Sequence, residues 1–136
     1  MNTKIFCDIA ELNLIRKFNK KKIVKGFTTN PSLMRKAGAK DYKSYSKQIL
    51  KICKDKPISL EVFADDEKSM IEQGIKINSW GKNVYVKVPI INSKNKFTGK
   101  VIKELNSKRF YNQSELNEKS WGKRLQILFN ENIKNL

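Results

Sequence analysis

The sequence has no histidine and only two cysteines, Cys7 and Cys53, with no Cys-x-x-Cys between them. Without histidine no Ser-His or Cys-His nucleophile can be assembled. The usual zinc donor sets are out of reach as well, so no metal site is expected. The two cysteines read as free buried thiols of a reducing compartment. No apolar run approaches the ~18 residues of a membrane span. The opening MNTKIFCDIAEL lacks the apolar stretch and small-residue cleavage site of a secretory leader, so the cytoplasm is the expected location. Glycine is scarce, with 6 in 136 residues, and these form neither a GxGxxG nor a Walker loop. FTGK, residues 97–100, resembles the end of a Walker loop, but Val101 follows the lysine and the upstream glycine is missing. No cofactor is implied.

Arginine is scarce too, 4 against 25 lysines, although the net charge is +16. A nucleic-acid surface favours arginine and gathers its charge on one face. Here the lysines are spread along the whole chain. Lys, Asn and Ile are what an AT-rich gene encodes readily, which gives the charge a coding explanation. Nucleic acid is therefore not the expected partner. A basic surface would still attract anionic substrates such as sugar phosphates.

What is present is an alternation. Residues 4–10, 58–64 and 83–89 read as strands, and residues 22–34 give a further strand that runs into a turn. Between and after them, residues 11–20, 41–54, 66–80 and 97–106 carry apolar positions at helical spacing. Pro31 suits the first position of a further helix, with Asn30 as its cap. Four strands alternating with helices argue for parallel βαβ units with right-handed crossovers. The fold is α/β, either an open doubly wound sheet or part of a (β/α) barrel of the TIM type. The open sheet usually carries a glycine-rich loop after its first strand, and DIAELN has no glycine. Residues 107–136 contain no Ala, Val, Pro, Thr or Asp. That shift suggests a boundary near 106, followed by a divergent tail with no clear fifth strand, helical in parts or disordered.

Polar side chains sit in the strands or at their C-terminal ends. Asp8 closes the first, Thr28 and Asn30 close the second, Glu61 lies in the third and Lys87 in the fourth. Each has a plain structural reading: Asp8 or Asn30 capping a helix, Glu61 and Lys87 forming a cross-strand ion pair. Together they favour a site, because burying several polar groups is costly unless they are paired or used. In (β/α) barrels catalytic residues come from the C-terminal ends of several strands. A buried lysine loses part of its preference for the ammonium form and can attack a ketone as the free amine. Asp8 and Glu61 are the carboxylates available to move protons. This is aldol chemistry without a metal.

GFTTNPSLM, ISLEVFADD, NVYVKVP and TGKVIKEL resemble, in order and spacing, the first half of the transaldolase and fructose-6-phosphate aldolase family. The aspartate of FCDIA agrees, and the resemblance covers residues 4 to 106. It implies a (β/α)8 barrel with Lys87 as the Schiff-base lysine and Asp8 in proton transfer. Thr28 and Asn30 would line the substrate site. Glu61 would work with a water in imine formation and hydrolysis. The aldolase branch usually has glutamine there, so Glu61 favours transaldolase, which transfers a dihydroxyacetone unit between sugar phosphates in the pentose phosphate pathway. The family's later Asn-x-Thr-Ala strand and its phosphate-binding serine and arginines are not recognisable, and Arg109 and Arg124 match no family motif.

The chain therefore reads as a truncated barrel: a half-barrel domain over residues 1–106, then a tail at 107–136 of the kind a frameshift or early stop would give. Activity on phosphorylated sugars is expected to be impaired. Bare edges on strands one and four could be covered by a C2 homodimer that completes the barrel, or by the tail; the third outcome is an unstable chain. The alternative function is a non-catalytic basic α/β fragment, binding nucleic acid weakly or nothing.

Overall fold

A computed structural model describes residues 4–112 and 125–128. Along the chain run β1 (Ile5–Asp8), α1 (Leu12–Asn19), β2 (Val24–Thr28), α2 (Pro31–Lys36) and α3 (Tyr42–Ile52). Then follow β3 (Ile58–Glu61), α4 (Glu67–Asn78), β4 (Val84–Pro89), α5 (Gly99–Asn112) and β5 (Leu125–Leu128). The strands form one sheet in the order β1-β2-β3-β4-β5. The ladders of β1 on β2, β2 on β3 and β4 on β5 are parallel. The four alternating strand–helix units of the sequence are thus present, as in part of a (β/α) barrel of the TIM type.

The chain divides into two compact units. The first holds the described residues up to Leu60 together with Trp80–Val84. Its core gathers Ile15, Phe27, Met34, Ile49, Ile58 and Leu60, all fully buried. Ile15 comes from the apolar stripe of α1 and Ile49 from that of α3, so both amphipathic helices turn their apolar face inward. Asp41 caps α3 by accepting from the Ser44 N–H at 2.8 Å, which satisfies one orphan donor of the first turn. β1 and β2 pair from Ile5↔Val24 to Asp8↔Thr28, with an irregularity between Ile5 and Phe6. Phe6 stands opposite Gly26, where an added Cβ would lie 2.5 Å from the Phe6 ring and 2.8 Å from the Pro57 ring. Glycine is what lets the two strands close there.

The second unit holds Glu61–Ser79 and the described residues from Tyr85 onward. Met70 and Ile77 of α4 are buried with Val62, Val86, Val88 and Val101. Asp66 caps α4 by accepting from the Ser69 N–H at 2.9 Å. Four of the six residues of β4 are buried, as expected of a parallel strand covered on both faces.

Two features differ from the sequence reading. α5 runs through residue 106 to Asn112, so the compositional shift does not coincide with a helix end. And Leu125–Leu128 forms a strand registered on β4 from Val86↔Leu125 to Pro89↔Leu128, where no clear fifth strand was expected. LQIL is four residues long, too short for a strand period to be distinguished from a helical one. β5 lies on the edge of β4 that a C2 pairing of β4 with β1 would use. Phe129 and Arg124 lie outside the described residues.

Candidate active site

In the first unit the structure brings Asp8 and Thr28 together. They are opposite each other at the C-terminal ends of β1 and β2, and the Thr28 hydroxyl donates to Asp8 Oδ1 at 2.7 Å. Asp8 is exposed and Thr28 half-buried, so the pair is open to a solute. The second threonine of TTNP behaves differently. Thr29 is fully buried, and both its hydroxyl and its N–H donate to the Ser59 carbonyl, at 2.9 and 3.1 Å. It holds the turn to β3 and leaves Thr28 to face the aspartate. Asn30 is the cap of α2: its Oδ1 accepts from the Leu33 N–H at 2.8 Å, with Pro31 in the first turn.

In the second unit Glu61 ends β3 and Lys87 lies in β4. The Val62 N–H donates to the Lys87 carbonyl at 2.9 Å. In a parallel ladder this bond registers Val62 with Val88, and hence Glu61 with Lys87. Registered residues share a face of the sheet. Lys87 is 3% exposed, whereas Glu61 is half-buried. On the other side Lys87 is registered with Gln126 of β5.

Beyond these strand ends lies a cleft of about 380 Å³, lined among others by Asp65, Glu67, Met70, Lys96 and Phe97. Asp65 is held below the usual carboxylate range, first by the Ser93 hydroxyl and then by the Ser93 N–H. Sequence reasoning passed over this aspartate, because its partner is 28 residues away. Among the described residues no group of three or more His, Cys, Asp or Glu could hold a metal ion. No helix among them is long and apolar enough to cross a membrane. Cys53 is buried and its thiol is pushed up to about 11 by burial, which removes it as a nucleophile at neutral pH. Cys7 is half-buried, not fully enclosed.

The parallel sheet thus carries a buried lysine on β4 with a glutamate registered beside it on β3. A model of the transaldolase/fructose-6-phosphate aldolase family matches residues 5–110, and the chain belongs to that family. It is 44% identical over 87 residues to a probable transaldolase of Sulfurihydrogenibium sp. (strain YO3AOP1), covering 64% of this chain and 39% of the relative. With a probable transaldolase of Dehalococcoides mccartyi it shares 41% identity over 86 residues, 63% of this chain and 40% of the relative. One from Nitrosopumilus maritimus is 44% identical over 87 residues, 64% and 38%. The chain spans about two-fifths of the length of the curated relatives it matches.

Proposed function

We propose that the chain carries the Schiff-base machinery of a transaldolase, moving a dihydroxyacetone unit from a ketose phosphate to an aldose phosphate. Such a reaction belongs to cytoplasmic carbohydrate metabolism, in the pentose phosphate pathway. The observation that carries the reading is a lysine 3% exposed on β4 and registered with a glutamate, in a chain of this family.

The Lys87 amine adds to the ketone carbonyl of the donor, and loss of water gives the protonated imine. Glu61, through a water, supplies and removes the protons of this step. Asp8 then takes the proton of the hydroxyl next to the scissile carbon–carbon bond. As that bond breaks, its electron pair flows into the iminium and leaves an enamine on Lys87, while the aldose phosphate departs as an aldehyde. The enamine carbon attacks the carbonyl of the acceptor aldehyde, whose oxygen takes the proton from Asp8. Water hydrolyses the new imine and returns the amine. Thr28 orients Asp8 through its hydroxyl, and Thr28 and Asn30 contact the substrate hydroxyls. Glu61 in place of glutamine favours transfer to an aldehyde over release of free dihydroxyacetone.

The test is label transfer. The chain is incubated with fructose 6-phosphate carrying ¹³C in its first three carbons and with unlabelled erythrose 4-phosphate. The expected product is a seven-carbon sugar phosphate bearing the label. Label no higher than in a Lys87→Met sample overturns the transfer reading.

A further inference from the structure

The segment between β4 and α5, residues 90–98, is a self-supporting strap. Ile91 and Phe97 form an antiparallel bridge, and the Thr98 N–H donates to the Ile90 carbonyl at 2.8 Å. The Thr98 hydroxyl donates to the carbonyls of Pro89 and Ile90, so the strap is closed at its base directly on the end of β4. Asn92 organises its tip: its Oδ1 accepts from the N–H groups of Lys94 and Lys96, each at 2.9 Å. Asn95 takes the left-handed conformation, φ 57°, which asparagine tolerates better than most residues.

The strap meets the turn between β3 and α4 at Asp65. Asp65 Oδ1 accepts from the Ser93 N–H at 2.8 Å and Oδ2 from the Ser93 hydroxyl at 2.6 Å. The Asn92 side-chain amide donates to the Asp65 carbonyl at 3.1 Å. The turn itself is fixed to α4, because Gln73 Oε1 accepts from the N–H groups of Phe63 and Ala64 at 2.7 and 2.9 Å. A continuous set of hydrogen bonds thus runs from α4 through the turn to Asp65, on to the strap and back to the end of β4.

We propose that Asp65 is a positioning residue, fixing the spacing of Glu61 and Lys87 by tying the C-terminal ends of β3 and β4 through the strap. The two strands leave their ladder within a few residues of these side chains, and parallel pairing alone holds strand ends weakly. A shift of ~1 Å between reacting groups can cost about a hundredfold in rate. Asp65 touches no substrate in this role. It acts through the strap on the lysine and through the turn on the glutamate. The proposal rests on the Schiff-base reading for its consequence in chemistry, but not for its geometry.

The test uses the full chain and two readouts. The first is hydrogen exchange at the Val62 amide, which bonds the Lys87 carbonyl. In Asp65→Ala this amide is expected to exchange about tenfold faster or more, while amides in the middle of α4 keep their rates. The second is the rate of borohydride-trapped adduct at Lys87 with dihydroxyacetone. It is expected to fall about tenfold in Asp65→Ala and to recover substantially in Asp65→Asn, which keeps one acceptor for the Ser93 N–H. Should Asp65→Ala fail to fold, Ser93→Ala removes the hydroxyl bond alone and is expected to give a smaller change in the same two directions. Unchanged Val62 exchange in a folded Asp65→Ala overturns the proposal, and so does unchanged adduct formation beside faster exchange. If the unaltered chain forms no adduct, the Schiff-base reading falls and the exchange result alone decides whether Asp65 spaces the strands.

Discussion

Substitutions at Asn30 separate its helix cap from the proposed substrate contact. Its Oδ1 caps α2, so Asn30→Ala is expected to cost about 1 kcal/mol of stability in urea unfolding. Asn30→Asp keeps the cap acceptor and loses the amide donor. It is expected to unfold like the parent and to form less trapped adduct with dihydroxyacetone. Equal adduct in both would leave Asn30 a cap alone. Cys53 offers a second check at the same scale. With its thiol near 11 and buried, it is expected to resist a disulfide reagent at pH 8 until the chain unfolds, while Cys7 reacts first. Three aspartates set the acid limit. Asp41 and Asp66 are lowered by Ser44 and Ser69, and Asp65 by Ser93, in each case by the hydroxyl first and the N–H next. A lowered carboxylate contributes stability above the ordinary value of 3.8, and loses it as the pH falls through the folded value. Thermal scans should therefore show a Tm insensitive to these groups from pH 7 to 5 and falling below about 4. A fall already complete at pH 5 would contradict this assignment.

Among the elements, the tightest fit is β1 against β2. Gly26→Ala forces a methyl toward the Phe6 and Pro57 rings and is expected to cost about 1–3 kcal/mol. Adding Phe6→Ala should return part of that loss, since Pro57 remains in place; full recovery or none would show that the crowding lies elsewhere. The element pattern was readable in the sequence for physical reasons. β1 to β4 are short runs that end on a polar residue or proline, and α1, α3 and α4 carry apolar stripes. Asp8, Thr28, Glu61 and Lys87 could be picked out because a polar residue in such a run is costly. Other features depend on contacts far apart in sequence. Asp65 looks like a second helix cap beside Asp66 until the strap is seen on it. Thr29 is indistinguishable from Thr28 until the Ser59 carbonyl is placed beside it. LQIL becomes a strand only by pairing with β4.

For the whole molecule the dominant long-range term is the net charge of +16. Like charges spread over a small chain repel, and salt screens them within ~10 Å at 0.1 M. Tm is therefore expected to rise from 10 mM to 500 mM sodium chloride, and a falling Tm would mean that attractive ion pairs outweigh the repulsion. The matched 86–87 residues cover about two-fifths of the curated relatives, and the family match over residues 5–110 contains the lysine, both carboxylates and the TTNP turn. The central claim is that Lys87 remains an activated nucleophile. Its most direct test is to incubate the purified chain with dihydroxyacetone, add borohydride and measure intact mass, with Lys87→Met beside it. One covalent three-carbon adduct in the parent and none in the variant is the result predicted. A folded parent that stays unmodified, or a variant modified equally, would contradict it.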